Sequence, residues 1–215
     1  MLSFVPDAAV IAAFALAAFV LAITPGPDMA LFLSRAINYG RAHGLACLLG
    51  AITGLIGHSL LAALGISLLI AAAPTAFLVL KIAGALYLIW LAIQALRSGD
   101  TLTLASAGRR TPTLVESYLT GLGINLLNPK IILFFVTFLP QFVDPADGAA
   151  AGKLFFLGLE FIVVSLPPTI AMIYAAGWLA GVLTRQKWVG RLLNWSFAAV
   201  FAAFAITILV AEGRK

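Results

Sequence analysis

Long apolar runs alternate with short polar clusters along this chain, and the runs have the length of membrane-crossing helices. Every residue from Ala8 to Ile23 is apolar; after Thr24-Pro25-Gly26-Pro27-Asp28 the run resumes at Met29-Ala30-Leu31-Phe32-Leu33 and stops at Arg35. A hydrocarbon layer of roughly 30 Å is crossed by about 20 apolar residues in a helix. On that scale the pattern predicts six spans, over about 8–34, 44–72, 75–97, 117–142, 153–183 and 191–211. Proline lacks the N–H that an α-helix needs and glycine weakens the helix on entropic grounds, so the first span is predicted as a discontinuous helix. The fourth has the same interruption: Asn125-Leu126-Leu127-Asn128-Pro129-Lys130 lies inside an apolar run that closes on Leu139-Pro140-Gln141-Phe142. The second carries Gly50, Gly54 and His58 at four-residue spacing, on one helical face, where small residues let helix backbones approach closely. Packing is the first role of these glycines, and function the second.

The two halves correspond. Span one with its Pro25 and Pro27 break matches span four with its Pro129 break, glycine-containing span two matches span five, and span three, with Lys81 near its start, matches span six, which opens at Arg191. Three spans per half is odd, so the second half enters the membrane upside down relative to the first. The expected fold is an all-α integral membrane protein of six transmembrane helices in two inverted three-helix repeats, with helices 1 and 4 interrupted at their prolines. It forms a single membrane transport domain over 1–215, divided into repeat 1 (about 1–97), a loop (about 98–116) and repeat 2 (about 117–215). Paired, proline-interrupted segments at corresponding positions of inverted halves point to a transporter site near the bilayer midplane.

Composition agrees and excludes other classes. With 63% hydrophobic and 10% charged residues, the chain has too few polar side chains to coat a soluble globule. The formal charge of +5 comes from short loops, not from a basic helix or an aromatic-interleaved patch of the kind that binds nucleic acid. Arg35, Arg41, Arg97, Arg109, Arg110, Arg185, Lys187 and Arg191 flank the first, third and fifth connections, against Lys153, Arg214 and Lys215 on the other side. Because basic residues are retained in the cytoplasm, the odd-numbered loops are expected to be cytoplasmic and both termini outside. The residues before Ala8 contain Asp7 and no base, the reverse of a cleavable leader. The lone Cys47 is expected to pack. Gly148-Ala149-Ala150-Ala151-Gly152-Lys153-Leu154 has one residue too few between its glycines and no Ser/Thr after the lysine for a phosphate loop. No metal cluster, no cofactor motif and no serine-hydrolase elbow are found.

Ionisable residues inside a bilayer are site candidates by default. Asp28 follows the first break, where it either orients the ammonium of a substrate or caps the second half-helix; the two are compatible. Lys130, beside a mid-span proline, has less room to reach the surface than Lys81, whose stem can snorkel there, and is the favoured functional base. Glu160 carries a proton or pairs with a cation, or else lies at a wetter margin. His58 reads as a hydrogen-bonded packing residue.

With Thr24-Pro25-Gly26-Pro27-Asp28, Gly40-Arg41-x-x-Gly44, the Gly50/Gly54 spacing, Lys81-x-x-Gly84-Ala85-x-Tyr87-Leu88, Asn128-Pro129-Lys130 and Pro140-Gln141-Phe142, the chain resembles the lysine exporter/homoserine–threonine resistance family of bacterial amino-acid exporters. The resemblance covers essentially the whole chain. It implies export of an amino acid or derivative driven by the proton gradient, a multi-pass location in the bacterial inner (plasma) membrane, and a homodimer among lipids. Asn194-Trp195-Ser196 and Glu160 depart from the family pattern. A membrane-embedded enzyme acting on a lipid or peptide, and a channel or accessory helical subunit, are the competing readings. The candidate substrate and proton-coupling residues are Thr24, Pro25, Gly26, Pro27, Asp28, Gly50, Gly54, Lys81, Asn125, Asn128, Pro129, Lys130, Gln141 and Glu160.

Overall fold

The computed structural model describes residues 4–24, 26–66, 110–144 and 147–185, with scattered positions between 75 and 96 and between 188 and 206. Pro25, Lys81 and Arg191, and residues 98–109 of the expected loop, lie outside the described residues.

Helix α1 (Ala8–Ile23) ends at Thr24, whose extended backbone leads through Gly26 into α2 (Pro27–Tyr39) at a bend of 52°. Pro27 opens α2 at the first helical position, where its missing N–H has no helical partner to lose. Gly40, at φ 96°, turns the chain directly into α3 (Arg41–Leu61), which loosens into a π-helical turn over Ala62–Ile66. Only glycine takes that φ without strain. Helix α4 (Leu114–Leu127) starts at a capping box between Thr113 and Glu116. It breaks at Asn128, which caps α5 (Pro129–Leu133); a π-helical turn (Phe134–Phe138) and a 3-10 turn (Leu139–Phe142) continue this half-helix, bent by 49° from α4. Then come α6 (Ala150–Tyr174) and α7 (Ala176–Arg185).

Among the described residues two helices, Arg41–Gly65 and Ala150–Tyr174, are long and apolar enough to cross a membrane, as are the two bent pairs if each counts as one span. Both interruptions expected from the prolines are therefore present, and no strand occurs among the described residues. The ends differ from expectation in understandable ways. The second span starts at Arg41 rather than Gly44 because the turn is made by Gly40 alone, and the fourth starts at Leu114 because the capping box satisfies its first N–H groups. The fifth is divided at Ala175, while Pro167 and Pro168 sit inside α6 without ending it.

Helix directions follow from the contacts. Helices α3 and α4 run parallel: His43 Nδ1 lies 3.0 Å from Ser117 Oγ, the Cys47 thiol donates to the Ser117 carbonyl (3.0 Å), and the Tyr118 hydroxyl donates to Thr53 Oγ1 (2.9 Å). Farther along, His58 Nε2 is 3.4 Å from the Asn125 carbonyl. The backbones cross in contact, since a Cβ on Gly50 would run into the Tyr118 carbonyl and one on Gly121 into the Cys47 carbonyl. Cys47 and His58 are thus hydrogen-bonded packing residues. Helix α6 runs antiparallel to α3, with Gly44 against Ile173 and Gly158 against Ser59, and parallel to α1, with Phe4, just ahead of α1, against Gly152 and Leu21, near its end, in one pocket with Phe161 and Ser165. The described positions between 75 and 96 are helical and bury Ala85 and Ala92; those between 188 and 206 are helical and bury Ala198 and Ala205. A core of Phe14, Phe134, Phe135, Phe138 and Phe161, with ring centroids 5.0 to 5.9 Å apart where they stack, fills the space between α1, α5 and α6.

Candidate functional site

The two breaks face each other and exchange side chains. Asp28, in the first turn of α2, does not cap that helix; its Oδ2 accepts from Asn125 Nδ2 and from Asn128 Nδ2 of the second break, each at 3.0 Å. In the opposite direction Lys130 Nζ donates to the carbonyls of Leu21 (3.3 Å) and Thr24 (3.1 Å), where α1 stops. Each break therefore supplies what the other lacks. The C-terminal carbonyls of α1 lie past its regular hydrogen-bond ladder, with the Leu21 oxygen taking only the Thr24 N–H at 3.3 Å from the backbone, and carry the negative end of its dipole; a cation from α5 sits on them.

The surroundings fix these side chains. Asn128 donates to Asp28 with its amide nitrogen while its Oδ1 accepts from the Lys130 backbone N–H at 3.0 Å, so one residue caps α5 and holds the carboxylate. Asn125 is nearly fully buried at 1% exposure and rests against Gly54, where a Cβ would lie 2.5 Å from its Oδ1. His58, stacked on Phe135, backs Asn125 from α3. The Thr24 hydroxyl donates to the Val20 carbonyl at 2.5 Å. Gly26 passes over Lys130, where a Cβ would stand 3.0 Å from Nζ.

Thr24, Asp28, Asn125 and Lys130 line a partly open pocket. Its walls are otherwise apolar, with Met29 and Phe32 from α2, Leu48 and Leu55 from α3, and Phe161 and Met172 from α6. Ser165 and Thr169 add two hydroxyls. Asp28 Oδ1 is buried without a hydrogen-bond partner among the described residues. A buried carboxylate oxygen left unpaired is costly, which marks it as the open valence of the site.

Of the residues singled out in the sequence, Thr24, Asp28, Asn125 and Lys130 meet in the pocket, Asn128 and Gly26 touch them from behind, and Pro27 and Pro129 open the half-helices that carry them. Gly54 acts through Asn125 and Gly50 through the α3–α4 crossing. Gln141 lies at the far end of the second half-helix and donates to the Thr137 carbonyl at 2.9 Å. Glu160 lies on α6 beside Phe161 but does not line the pocket; its Oε2 is buried without a partner among the described residues. Ser165 and Thr169 were not singled out. The signal was there, two hydroxyls four residues apart on an apolar helix, hence on one face.

Among known proteins the chain is 31% identical over 202 residues to a homoserine/homoserine lactone efflux protein of Salmonella typhimurium, covering 94% of this chain and 96% of that one. It is 28% identical over 195 residues to a leucine efflux protein of an Enterobacter species, covering 89% and 91%. It is 30% identical over 201 residues to a threonine efflux protein of Salmonella typhi, covering 88% and 92%. No solved structure matches it. The sequence model of the family described as LysE type translocator matches residues 19–212. Members of that family are transporters rather than enzymes, so the membrane-enzyme reading falls away. The apolar spans, the paired breaks and this match over most of its length identify the chain as a membrane protein belonging to the LysE type translocator family.

Proposed function

We propose that this protein exports an amino acid or amino-acid derivative from the bacterial cytoplasm through the plasma membrane. The observation that carries the reading is the meeting of an acid from one break and a base from the other in a single pocket. An amino acid presents an ammonium and a carboxylate a short distance apart. Asp28 Oδ1 accepts from the ammonium, and the third N–H of Lys130, beyond the two given to Leu21 and Thr24, is available to the carboxylate at the Asn128-Pro129-Lys130 break. The apolar wall takes the side chain. The efflux relatives, named for homoserine, leucine and threonine, support the substrate class.

Transport is by alternating access coupled to proton antiport, in a six-helix protein of two inverted repeats. The parallel pairs α3–α4 and α1–α6 support that organisation, because exchanging the halves turns one pair into the other. The buried alanine pairs, Ala85 with Ala92 and Ala198 with Ala205, occupy matching spans. Export exposes the pocket to each side in turn, with the odd-numbered loops cytoplasmic and Asp28 or Glu160 taking the proton. The test is to load cells with single amino acids, toxic analogues included, and to measure resistance and export with and without this chain. Export that follows the proton gradient supports the reading; no effect for any amino acid overturns it.

A further inference from the structure

The first break ends α1 on carbonyls beyond the regular helical ladder, the Leu21 oxygen taking the Thr24 N–H at 3.3 Å, and what joins them is an ammonium from elsewhere in the chain: Lys130 Nζ, 3.3 Å from the Leu21 oxygen and 3.1 Å from that of Thr24. In membrane carriers with broken helices, unwound carbonyls and half-helix C-termini coordinate the coupling cation. Here the cation is attached to the protein. The local residues are arranged around it. The Lys130 stem is fixed at its base by the bond from its backbone N–H to Asn128 Oδ1 (3.0 Å). The Thr24 hydroxyl closes the last turn onto Val20 (2.5 Å), leaving the Thr24 carbonyl to the ammonium. Gly26 has an extended backbone, φ −171°, that any residue adopts, yet a Cβ there would stand 3.0 Å from Nζ. The glycine serves the room for the ammonium, not the turn. The charged neighbour is Asp28 of α2, with His58 of α3 behind it; α6 turns Phe161, Ser165 and Thr169 toward the pocket.

We propose that the first break is a monovalent-cation site whose resident occupant is the Lys130 ammonium, so that export proceeds without free sodium and a shortened side chain at position 130 opens the site to a primary ammonium from solution. Two carbonyls and an open pocket side suit the three donors of an ammonium better than they suit a bare ion. Only the transport arm of the test rests on the export reading.

The experiment uses the full-length protein in detergent for thermal stability and in proteoliposomes for export. In Lys130→Ala, n-propylammonium replaces the atoms removed. It is expected to raise the melting temperature and to restore export lost by about tenfold or more, the scale of a lost charge-assisted hydrogen bond. Tetramethylammonium, which has no N–H, restores neither, and Lys130→Met, which fills the space, does not respond to the amine. Restoration by sodium as well as by the amine would overturn the assignment of the site to an ammonium. Two measurements do not depend on the folding of Lys130→Ala: wild-type export is expected to be unchanged when sodium is replaced by choline, and Gly26→Ala, which crowds Nζ without straining the backbone, is expected to lose export. The proposal is overturned by a Lys130→Ala protein whose stability and export ignore the amine, by a wild type that requires sodium, or by full export in Gly26→Ala. If the wild type moves no amino acid, the export reading fails, while an amine-dependent rise in the melting temperature of Lys130→Ala still reports the site.

Discussion

Asp28 in the first break accepts a hydrogen bond from Asn128 in the second at 3.0 Å, and the same asparagine caps the half-helix that carries Lys130. These two duties can be separated by mutation. Asn128→Asp keeps a good helix cap but replaces the donor with a second carboxylate facing Asp28. It is expected to reach the membrane, to lose about 1.5–3 kcal/mol of stability from the lost hydrogen bond to a charged group, Asn125 still donating to the same oxygen, and to lose export. Wild-type export by Asn128→Asp in proteoliposomes would remove Asn128 from the site.

Gly50 and Gly54 share a helix face, yet their substitutions are expected to fail differently. A Cβ on Gly50 meets backbone, the Tyr118 carbonyl, so Gly50→Ala forces α3 and α4 apart and lowers the yield of folded protein. A Cβ on Gly54 meets the Asn125 side chain at 2.5 Å, which can move, but only by letting go of Asp28. Gly54→Ala is expected to fold and to export poorly. Detergent stability and export, measured side by side for the two variants, decide it; equal effects on both quantities would argue against a positioning role for Gly54.

Much of this site was legible in the sequence because prolines and intramembrane charges are scarce and expensive. The two breaks, Asp28, Lys130 and the flanking Asn125 and Asn128 all stood out on those grounds, and the glycine face of α3 stood out by spacing. What could not be read is the cross-bracing. The partners of Lys130 are the carbonyls of Leu21 and Thr24, and a backbone acceptor has no residue type to betray it. The capping reading of Asp28 was reasonable for an acid at a helix start, but two buried amides outcompete the helix's own N–H groups for its Oδ2. Gln141 stands out beside a proline, and its amide donates to the Thr137 carbonyl of its own turn. Ser165 and Thr169 stand out only by their four-residue spacing, a weak mark because hydroxyls are common in membrane helices.

At the end of the molecule that carries Arg41, Thr113 accepts from the Glu116 backbone N–H and Glu116 accepts from the Thr113 N–H at 2.6 Å and from the Arg110 guanidinium. Thr113→Ala is expected to cost about 1 kcal/mol through the lost cap; a melting temperature in detergent equal to that of the wild type would contradict this.

Thr169 lines the pocket beside the apolar side chains of Phe32, Leu48, Leu55, Phe161 and Met172. Removing its hydroxyl in Thr169→Val is expected to shift preference from hydroxylated amino acids toward leucine-like ones, by about tenfold or more if the hydroxyl bonds the substrate. Competition between threonine and leucine in the same vesicles reads the ratio directly, and an unchanged ratio would place substrate side chains elsewhere.

The central claim is that the two breaks form one site, with the acid from the first and the base from the second acting on the same substrate. Export of an accumulated amino acid by Asp28→Asn tests it most directly. The substitution keeps the shape of the side chain and removes its charge. The expected result is a protein that reaches the membrane at wild-type levels and exports nothing above background, whereas export at the wild-type rate in that variant would contradict the account.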